Sequence, residues 1–412
     1  MKSMKPIRIA HVAYILIPGW GRFDTINELL RNGGFDVWII WYIQNWSCIK
    51  HKILGNIEVD LKNKIINITI PRWLVAINVL INQFILDGIG YAIPLYIICK
   101  KLKMKAIILQ DYMIEVNFFF LLFKKIFRLK ISTIIDYHDL IARWAYYNSK
   151  NKLKRLLEPL HVAINEVINP RLAGKIIVVT NFLKDFIFHR SKINRGLVIP
   201  EVFKSPYQIE VNYDKNELRR KLGLNPHSVI LIWAGFLAGF AVDDILFLIR
   251  AISLSRNKNK ILLLLLAWGA SKDTIITINN FAKEVGVNIK YLGYIDNRKL
   301  LYWEYLMASD IGVFIRPRTL FSHALTGRKV QDYIGVGLPV IVPCLAGQLE
   351  IIKQNGLCYK PEDVLDLAKK IDEILNLDLI SMGMKSRKIA NSILNYVKNL
   401  ILSEDFKDFL IN

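Results

Sequence analysis

The sequence predicts an α/β protein of two doubly wound domains, on three observations. Short apolar runs bounded by turn residues alternate with longer segments of helical period, the pattern of parallel strands joined by crossover helices. The series occurs twice, with a polar stretch at residues 204–225 between the two copies. A chain of 412 residues exceeds one ordinary core and suits two.

In the first half the strand candidates are residues 7–17, 37–41, 106–109, 131–136 and 175–179. In the second they are 229–234, 261–267, 289–292, 311–315 and 339–342. The run from Ile261 to Leu266 is apolar at every position, as a strand covered on both faces must be. Helix candidates fall between, at 243–255 and 364–375 among others. In the latter, Val364, Leu367, Ala368 and Ile371 form one stripe. The boundary is placed near Pro200, giving a first domain of 1–200 and a second of 201–392, with a last helix at 393–412 packing back on the first.

Composition narrows the function. With 53% hydrophobic residues, 22 Gly and 13 Pro, the chain is neither disordered nor collagen-like, and no period of a solenoid is present. Fifty-six Lys and Arg against 35 Asp and Glu leave a net charge of +21, which either favours a polyanionic partner or reflects a habit of composition spread along the whole chain. Cys48, Cys99, Cys344 and Cys358 are scattered without a C-x-x-C pair, so four free thiols in a reducing cytoplasm are expected. The apolar residues 74–99 are interrupted by Asn78, Asn82, Gln83 and Asp87, which predicts packed helices rather than a membrane span.

Open parallel sheets bind ligands at the carboxyl ends of their strands, and three sequences stand there. Pro18-Gly19-Trp20-Gly21-Arg22 follows the first strand; it is either a loop offering backbone N–H groups to an anion at a helix start or a plain tight turn. Asp136-Tyr137-His138-Asp139 ends a buried strand. Either the carboxylates charge and orient the His138 imidazole, or Asp139 merely caps the next helix. The other six histidines have no ligand spacing, so no metal is expected. The third sequence is the richest. A strand runs into Arg316 and Arg318, and a helix then opens with Arg328 and Lys329 and carries Asp332 one turn later. Cations at a helix start suit a diphosphate, and a carboxylate one turn deeper suits ribose hydroxyls. A solvated i,i+3 pair is the plainer alternative.

Lys329-Val-Gln-Asp332-Tyr-Ile-Gly-Val-Gly337-Leu-Pro339-Val340, continued by Ala346-Gly347-Gln-Leu-Glu350 and Asn355-Gly356, resembles the signature helix and following loop of the large retaining glycosyltransferase family four (glycosyl transferases group 1). The resemblance extends upstream through Tyr291-Leu-Gly293-Tyr294 and Leu300 to Asp310, and loosely through Ile135–Asp139 and 175–200. It implies a GT-B fold, two Rossmann-like domains facing across a cleft, and transfer of a sugar from a UDP- or GDP-sugar to a glycan or lipid-linked acceptor. It further implies retention, with neither metal nor cofactor. By the same resemblance Asp332 matches the carboxylate that holds the ribose, with Asp where the family has Glu. Lys329 faces the phosphates, His138 with Asp139 serves the transferred sugar and acceptor, and Gly235 and Tyr294 join the donor side. Gly19 and Gly21 match the glycine loop.

Two departures stand out. The first Glu of a Glu-x7-Glu pair would fall at Ala324, and the loop Gly235-Phe-Leu-Ala-Gly239 lacks the Arg and Lys usual there; Arg316, Arg318 or Arg328 is expected to replace them. These absences motivate a rival reading, an inactive homologue that binds or scaffolds; a sugar-nucleotide epimerase is another. Nucleic acid is not an expected partner, since no basic-aromatic motif is clustered. The segment 118–130, with Lys124, Lys125, Arg128 and Lys130 among phenylalanines, serves either as an ordinary crossover helix or as a face for an anionic membrane. The expected place is the cytoplasm, peripheral on the inner face of the cell membrane.

Overall fold

Parallel strands need a cover on both faces, and the alternation of side chains along each strand supplies two apolar faces at once. The computed structural model describes residues 6–14, 21–42, 56–69, 83–147, 152–202 and 214–412. The chain divides into two compact units, one of Met1–Pro200 with Tyr396–Asn412 and one of Glu201–Asn395.

Unit 1 holds an eight-stranded sheet in the order β3-β4-β2-β1-β5-β6-β7-β8. Its strands are β1 (Arg8–Tyr14), β2 (Asp36–Tyr42), β3 (Asn56–Asp60), β4 (Ile65–Thr69), β5 (Ala106–Gln110), β6 (Ser132–Tyr137), β7 (Ile176–Val178) and β8 (Gly196–Val198). All pairings are parallel except the β3–β4 hairpin. Helix Gly21–Asn32 joins β1 to β2, Gln83–Lys101 leads into β5, and Ile114–Ile126 joins β5 to β6. Residues 74–99 thus enter a packed helix where they are described, and no described helix is long and apolar enough to cross a membrane. A π-helical turn, Ile164–Ile168, precedes β7. It buries Glu166, whose oxygens take Arg143 at 2.6 Å and Arg190 at 3.0 Å.

Unit 2 holds a parallel six-stranded sheet, β11-β10-β9-β12-β13-β14. The strands are β9 (Val229–Phe236), β10 (Ile261–Trp268), β11 (Asn288–Tyr291), β12 (Ile311–Val313), β13 (Val340–Pro343) and β14 (Gly356–Tyr359). Leu263 and Leu265 point into one apolar cluster with helices Phe240–Leu254 and Val364–Ile374. Leu264 and Leu266 point into the other, against Tyr302, Trp303, Val330 and Tyr333. The run of leucines in β10 is therefore split between two cores, one residue at a time. Helix starts are set by short polar side chains: Ser271 Oγ accepts from Thr274 N and Asp363 from Asp366 N. The Leu379–Leu402 helix then carries the chain back to unit 1. There Glu404–Ile411 is tied by Lys175 Nζ donating to Phe409 O at 2.7 Å.

Each of the ten strands expected from apolar runs has its counterpart, shifted by a residue or two where described. The hairpin β3–β4 and the short strands β8 and β14 were not expected. The first is rich in Asn and Lys, and the others are edge strands that open on Gly196 and Gly356 and so carry only a short apolar run. The cysteines require a correction. Cys344 and Cys358 form a disulfide, because β13 and β14 pair Val342 with Cys358 and so bring the residue beyond Pro343 alongside. A pairing made by an unforeseen strand leaves no signature in cysteine spacing, and the inference from four thiols to a reducing compartment loses its basis. Cys99 is a buried free thiol.

One close contact fixes the helix that carries the signature residues. A Cβ on Gly312 of β12 would lie 2.4 Å from Cδ2 of Tyr333, whose ring is fully buried and whose hydroxyl accepts from Ala234 N at 2.8 Å. Gly312→Ala is expected to destabilise the protein by about 1–3 kcal/mol through overpacking. Thermal unfolding should show the midpoint falling by several degrees. An unchanged midpoint would mean that the Tyr333 ring does not rest on β12.

Candidate functional site

Two constellations stand at strand carboxyl ends, one in each unit. In unit 1, β6 delivers Asp136 and Tyr137 and the chain then turns into His138 and Asp139. Asp136 and the Arg22 side chain, from the first turn of Gly21–Asn32, are both almost wholly buried. Arg22 Nη1 donates to Asp136 Oδ2 at 2.6 Å and lies 2.9 Å from His138 Nε2, while Nη2 donates to Ile199 O at 2.9 Å. His138 Nε2 is 3.1 Å from the same Asp136 oxygen. The ring nitrogen can serve one neighbour at a time: it accepts from Arg22 when it carries no proton and donates to Asp136 when it carries one, in the neutral Nε2–H tautomer or the charged ring. Burial pulls the His138 pKa down and Arg22 adds to that. The Asp136 carboxylate outweighs both, so the net shift is upward. Asp136 itself is held well below the usual carboxylate range, its burial overcome by Arg22 and His138.

Three neighbours at this end were not foreseen. His11 Nδ1 meets Asn27 Oδ1 at 2.8 Å, and burial pushes its pKa down to about 4. Asp111 lies just past β5, where the strand-end rule would have found it. Its Oδ2 accepts from Asp139 N at 3.4 Å, and burial pushes its pKa up to about 8. Tyr112 sets its ring edge-on to His138 at 5.8 Å. Asp139 accepts from Leu140 N at 2.6 Å, so it also shapes the turn into helix Ile141–Tyr147. Gly21 is the first residue of its helix, and Gly19 lies outside the described residues.

In unit 2 the helix Arg328–Gly335 starts after Gly327, whose φ of 84° is a left-handed conformation that other residues adopt only with strain. No side chain caps this start, leaving first-turn N–H groups free of a side-chain acceptor. Asp332 is fully buried one turn in. Its Oδ1 accepts from Arg328 Nε at 3.1 Å; its Oδ2 accepts from the Tyr302 hydroxyl at 2.8 Å and lies 3.6 Å from Lys329 Nζ. Lys329 also stands over the Tyr302 ring at 5.1 Å. Burial lowers the Lys329 pKa, with Asp332 working against that, whereas Arg328 is raised because Asp332 outweighs its burial. Asp332 has acceptor capacity left on Oδ1, but its full burial means that ribose hydroxyls would reach it only after the side chains over it shift. Tyr302, from helix Leu300–Ala308, is the residue that sequence reasoning missed.

The remaining expected residues go elsewhere. Arg316 lies 3.5 Å from Asp244 and over the Phe314 ring at 5.1 Å. Asp244, mainly through burial, is pushed up to about 7. Arg318 is exposed, with its backbone N–H on Glu362. Gly235 ends β9 beside Phe236, whose ring meets that of Trp268 at 4.5 Å; both rings are more than two-fifths exposed. Tyr294 is 66% exposed beyond β11. Ala324 is buried, and the short helix Ala346–Leu349 after β13 packs beside it through Gln348 Nε2 on Leu325 O at 2.7 Å. Among the described residues no group of His, Cys, Asp or Glu is placed to hold a metal ion.

The two buried histidines are expected to titrate in opposite directions from the ordinary value of about 6.5. His138 should titrate above it and His11 near 4. The His138 contribution to stability is full below the unfolded value and is lost as pH rises through the folded one. His11 contributes above the unfolded value and loses that as pH falls toward 4. Imidazole NMR titration checks both, and Asp136→Asn should move His138 down; no movement would remove Asp136 as the cause.

Residues 228–377 match the sequence model of the family described as Glycosyl transferases group 1. No curated protein matches the chain. Sucrose-phosphate synthase of Thermosynechococcus elongatus is similar in structure, with a TM-score of 0.69 at 16% identity over 98% of both chains. A structure from E. coli described as trehalose-6-phosphate bound with UDP-2-fluoro glucose gives 0.69 at 13% identity over 98% of both chains. Anabaena HepE in complex with UDP and glucose gives 0.66 at 15% identity over 98% of this chain and all of that one.

Proposed function

We propose that this chain, a glycosyltransferase of the GT-B fold with a group 1 domain, moves a sugar from a uridine or guanosine diphosphate to a glycan or lipid-linked acceptor with retention. The observation that carries the reading is the uncapped helix start at Gly327, where Arg328 and Lys329 are both held by the buried Asp332. The bound uridine nucleotides of the two solved structures above favour uridine as the first base to test.

As the glycosidic bond of the donor breaks, the ring gains oxocarbenium character and negative charge grows on the departing diphosphate. Fixed cations and helix N–H dipoles aimed at that charge stabilise it without reorganising at the moment of reaction. In this reading Arg328, Lys329 and the first helical turn do that work. Asp332 and Tyr302 position the two cations, with Asp332 countering the effect of burial on Lys329. The exposed pair Phe236 and Trp268 offers an apolar face to the donor where cations are usual. His138, with its charge set by Asp136 and Arg22, is assigned to the acceptor side. The basic side chains neutralise the leaving group, so no metal is required of the mechanism.

Thermal-shift measurement against a panel of nucleoside diphosphates and their sugars tests the reading. At about 100 times its Kd a ligand stabilises by about 2.7 kcal/mol, so a uridine or guanosine diphosphate should raise the midpoint by several degrees. Lys329→Ala should abolish most of that response and lower kcat/KM by about a hundredfold or more, and EDTA should leave turnover unchanged. Silence across the whole panel would overturn the proposal.

A further inference from the structure

Unit 1 carries a surface that donor binding does not use. Helices Gln83–Lys101 and Ile114–Ile126 lie together, with a Cβ on Gly88 placed only 2.6 Å from Phe119. Phe119, Phe123 and Phe127 follow at four-residue intervals with ring centroids 6.4 and 6.2 Å apart, and Phe127 meets Tyr96 at 5.5 Å. This aromatic row starts between the helices and comes to the surface at its end. Phe127 is 60% and Ile126 59% exposed. On the other helix Ile93 and Ile97 are exposed on one stripe, i and i+4, that continues into Lys100 and Lys101.

Charge is sorted as sharply as polarity. Residues 93–105 and 116–132 contain eight Lys and Arg and no Asp or Glu. Seven of those cations are exposed; Lys124 turns inward to Thr133 Oγ1 at 2.8 Å. The loops that follow the two helices adjoin, since Ser132 N donates to Lys105 O at 3.0 Å. Lys103 and Arg128 in these loops hold φ of 52° and 51°, where glycine would be less strained. A helix dipole accounts for cations in a last turn. It does not account for bare isoleucine and phenylalanine standing among them, which water alone disfavours.

We propose that this face docks on an anionic lipid bilayer, with Ile126 and Phe127 entering the headgroup boundary and the surrounding lysines and arginine meeting lipid phosphates. Apolar side chains ringed by cations, with no acid among them, complement a surface that is apolar beneath and negative above. The face lies at the amino-terminal ends of β5 and β6, whereas Asp111 and His138 lie past their carboxyl ends, about 20 Å away along the strand. Docking therefore leaves that constellation open. The inference is independent of donor binding; where both hold, a lipid-linked acceptor is favoured over a free glycan.

Vesicle flotation of the full chain decides it. The protein should float with phosphatidylglycerol-containing vesicles and stay behind with pure phosphatidylcholine, and raised salt should weaken the association. Lys125→Glu with Arg128→Glu, which touches no packed group, should weaken partition at least about tenfold. Ile126→Ser with Phe127→Ser should do the same at low salt, and the nucleotide-induced thermal shift should persist in both variants. Equal partition into both kinds of vesicle, no flotation, or variants that float like the parent would overturn the proposal. So would variants that only abolish self-association in sedimentation, since the face would then join two copies of the chain.

Discussion

At each candidate site a buried carboxylate is shared between two cationic groups, and the local arrangement of charge hangs from it. Asp136 is held by Arg22 at 2.6 Å and by His138 at 3.1 Å. Asp332 is held by Arg328 at 3.1 Å and Lys329 at 3.6 Å. A carboxylate in a low-dielectric place is stable only while such partners surround it. The dependence is mutual, because the cations keep their charge and direction through the acid. Replacing either acid would strand charge as well as remove a contact, so effects on fold and on chemistry are coupled at these positions.

Why these acids sit where they do follows from the sheets. Strands covered on both faces leave polar side chains along their length few places to go, His11 with Asn27 being one exception, so polar groups gather where the strand ends. That is why the strand-end rule found Asp136, His138 and Asp139 from sequence, and why it would equally have found Asp111. Buried acids recruit partners from elements distant in sequence, and those partners were hidden. Arg22 reaches Asp136 across 114 positions and Tyr302 reaches Asp332 across 30. Neither has any local pattern that announces the pairing. The i,i+3 spacing of Lys329 and Asp332 was visible, but not the full burial that turns a commonplace surface pair into an organising centre.

The same division holds for the fold. Apolar runs such as Ile261–Trp268 were readable because a central parallel strand is apolar at nearly every position. The β3–β4 hairpin was not, since only Ile66 and Ile68 of β4 are buried and the rest of its length faces outward. The β14 strand, at a sheet edge and opening on Gly356, carries little apolar signal, and with it went the means of foreseeing that Cys344 meets Cys358. Disulfides are three-dimensional facts; spacing of 14 residues carries none of that information without the strand pairing.

Under the proposed function, the departures from the resembled family pattern decide which charge would meet the donor. The end of β9 has Phe236 and no cation, and Arg316 is already matched with Asp244. Arg318 is exposed, and its backbone N–H is bonded to Glu362. Of the three arginines that might replace the absent pair, Arg328 alone shares an acid with Lys329. In that reading the donor would meet positive charge on one helical turn and an aromatic face, Phe236 on Trp268, where the resembled pattern has a second pair of cations. Coulomb attraction to the diphosphate is then weaker in sum but more concentrated. Donor binding in that reading would lean more on apolar contact with base or sugar, which is less sensitive to salt than a site ringed by arginine and lysine.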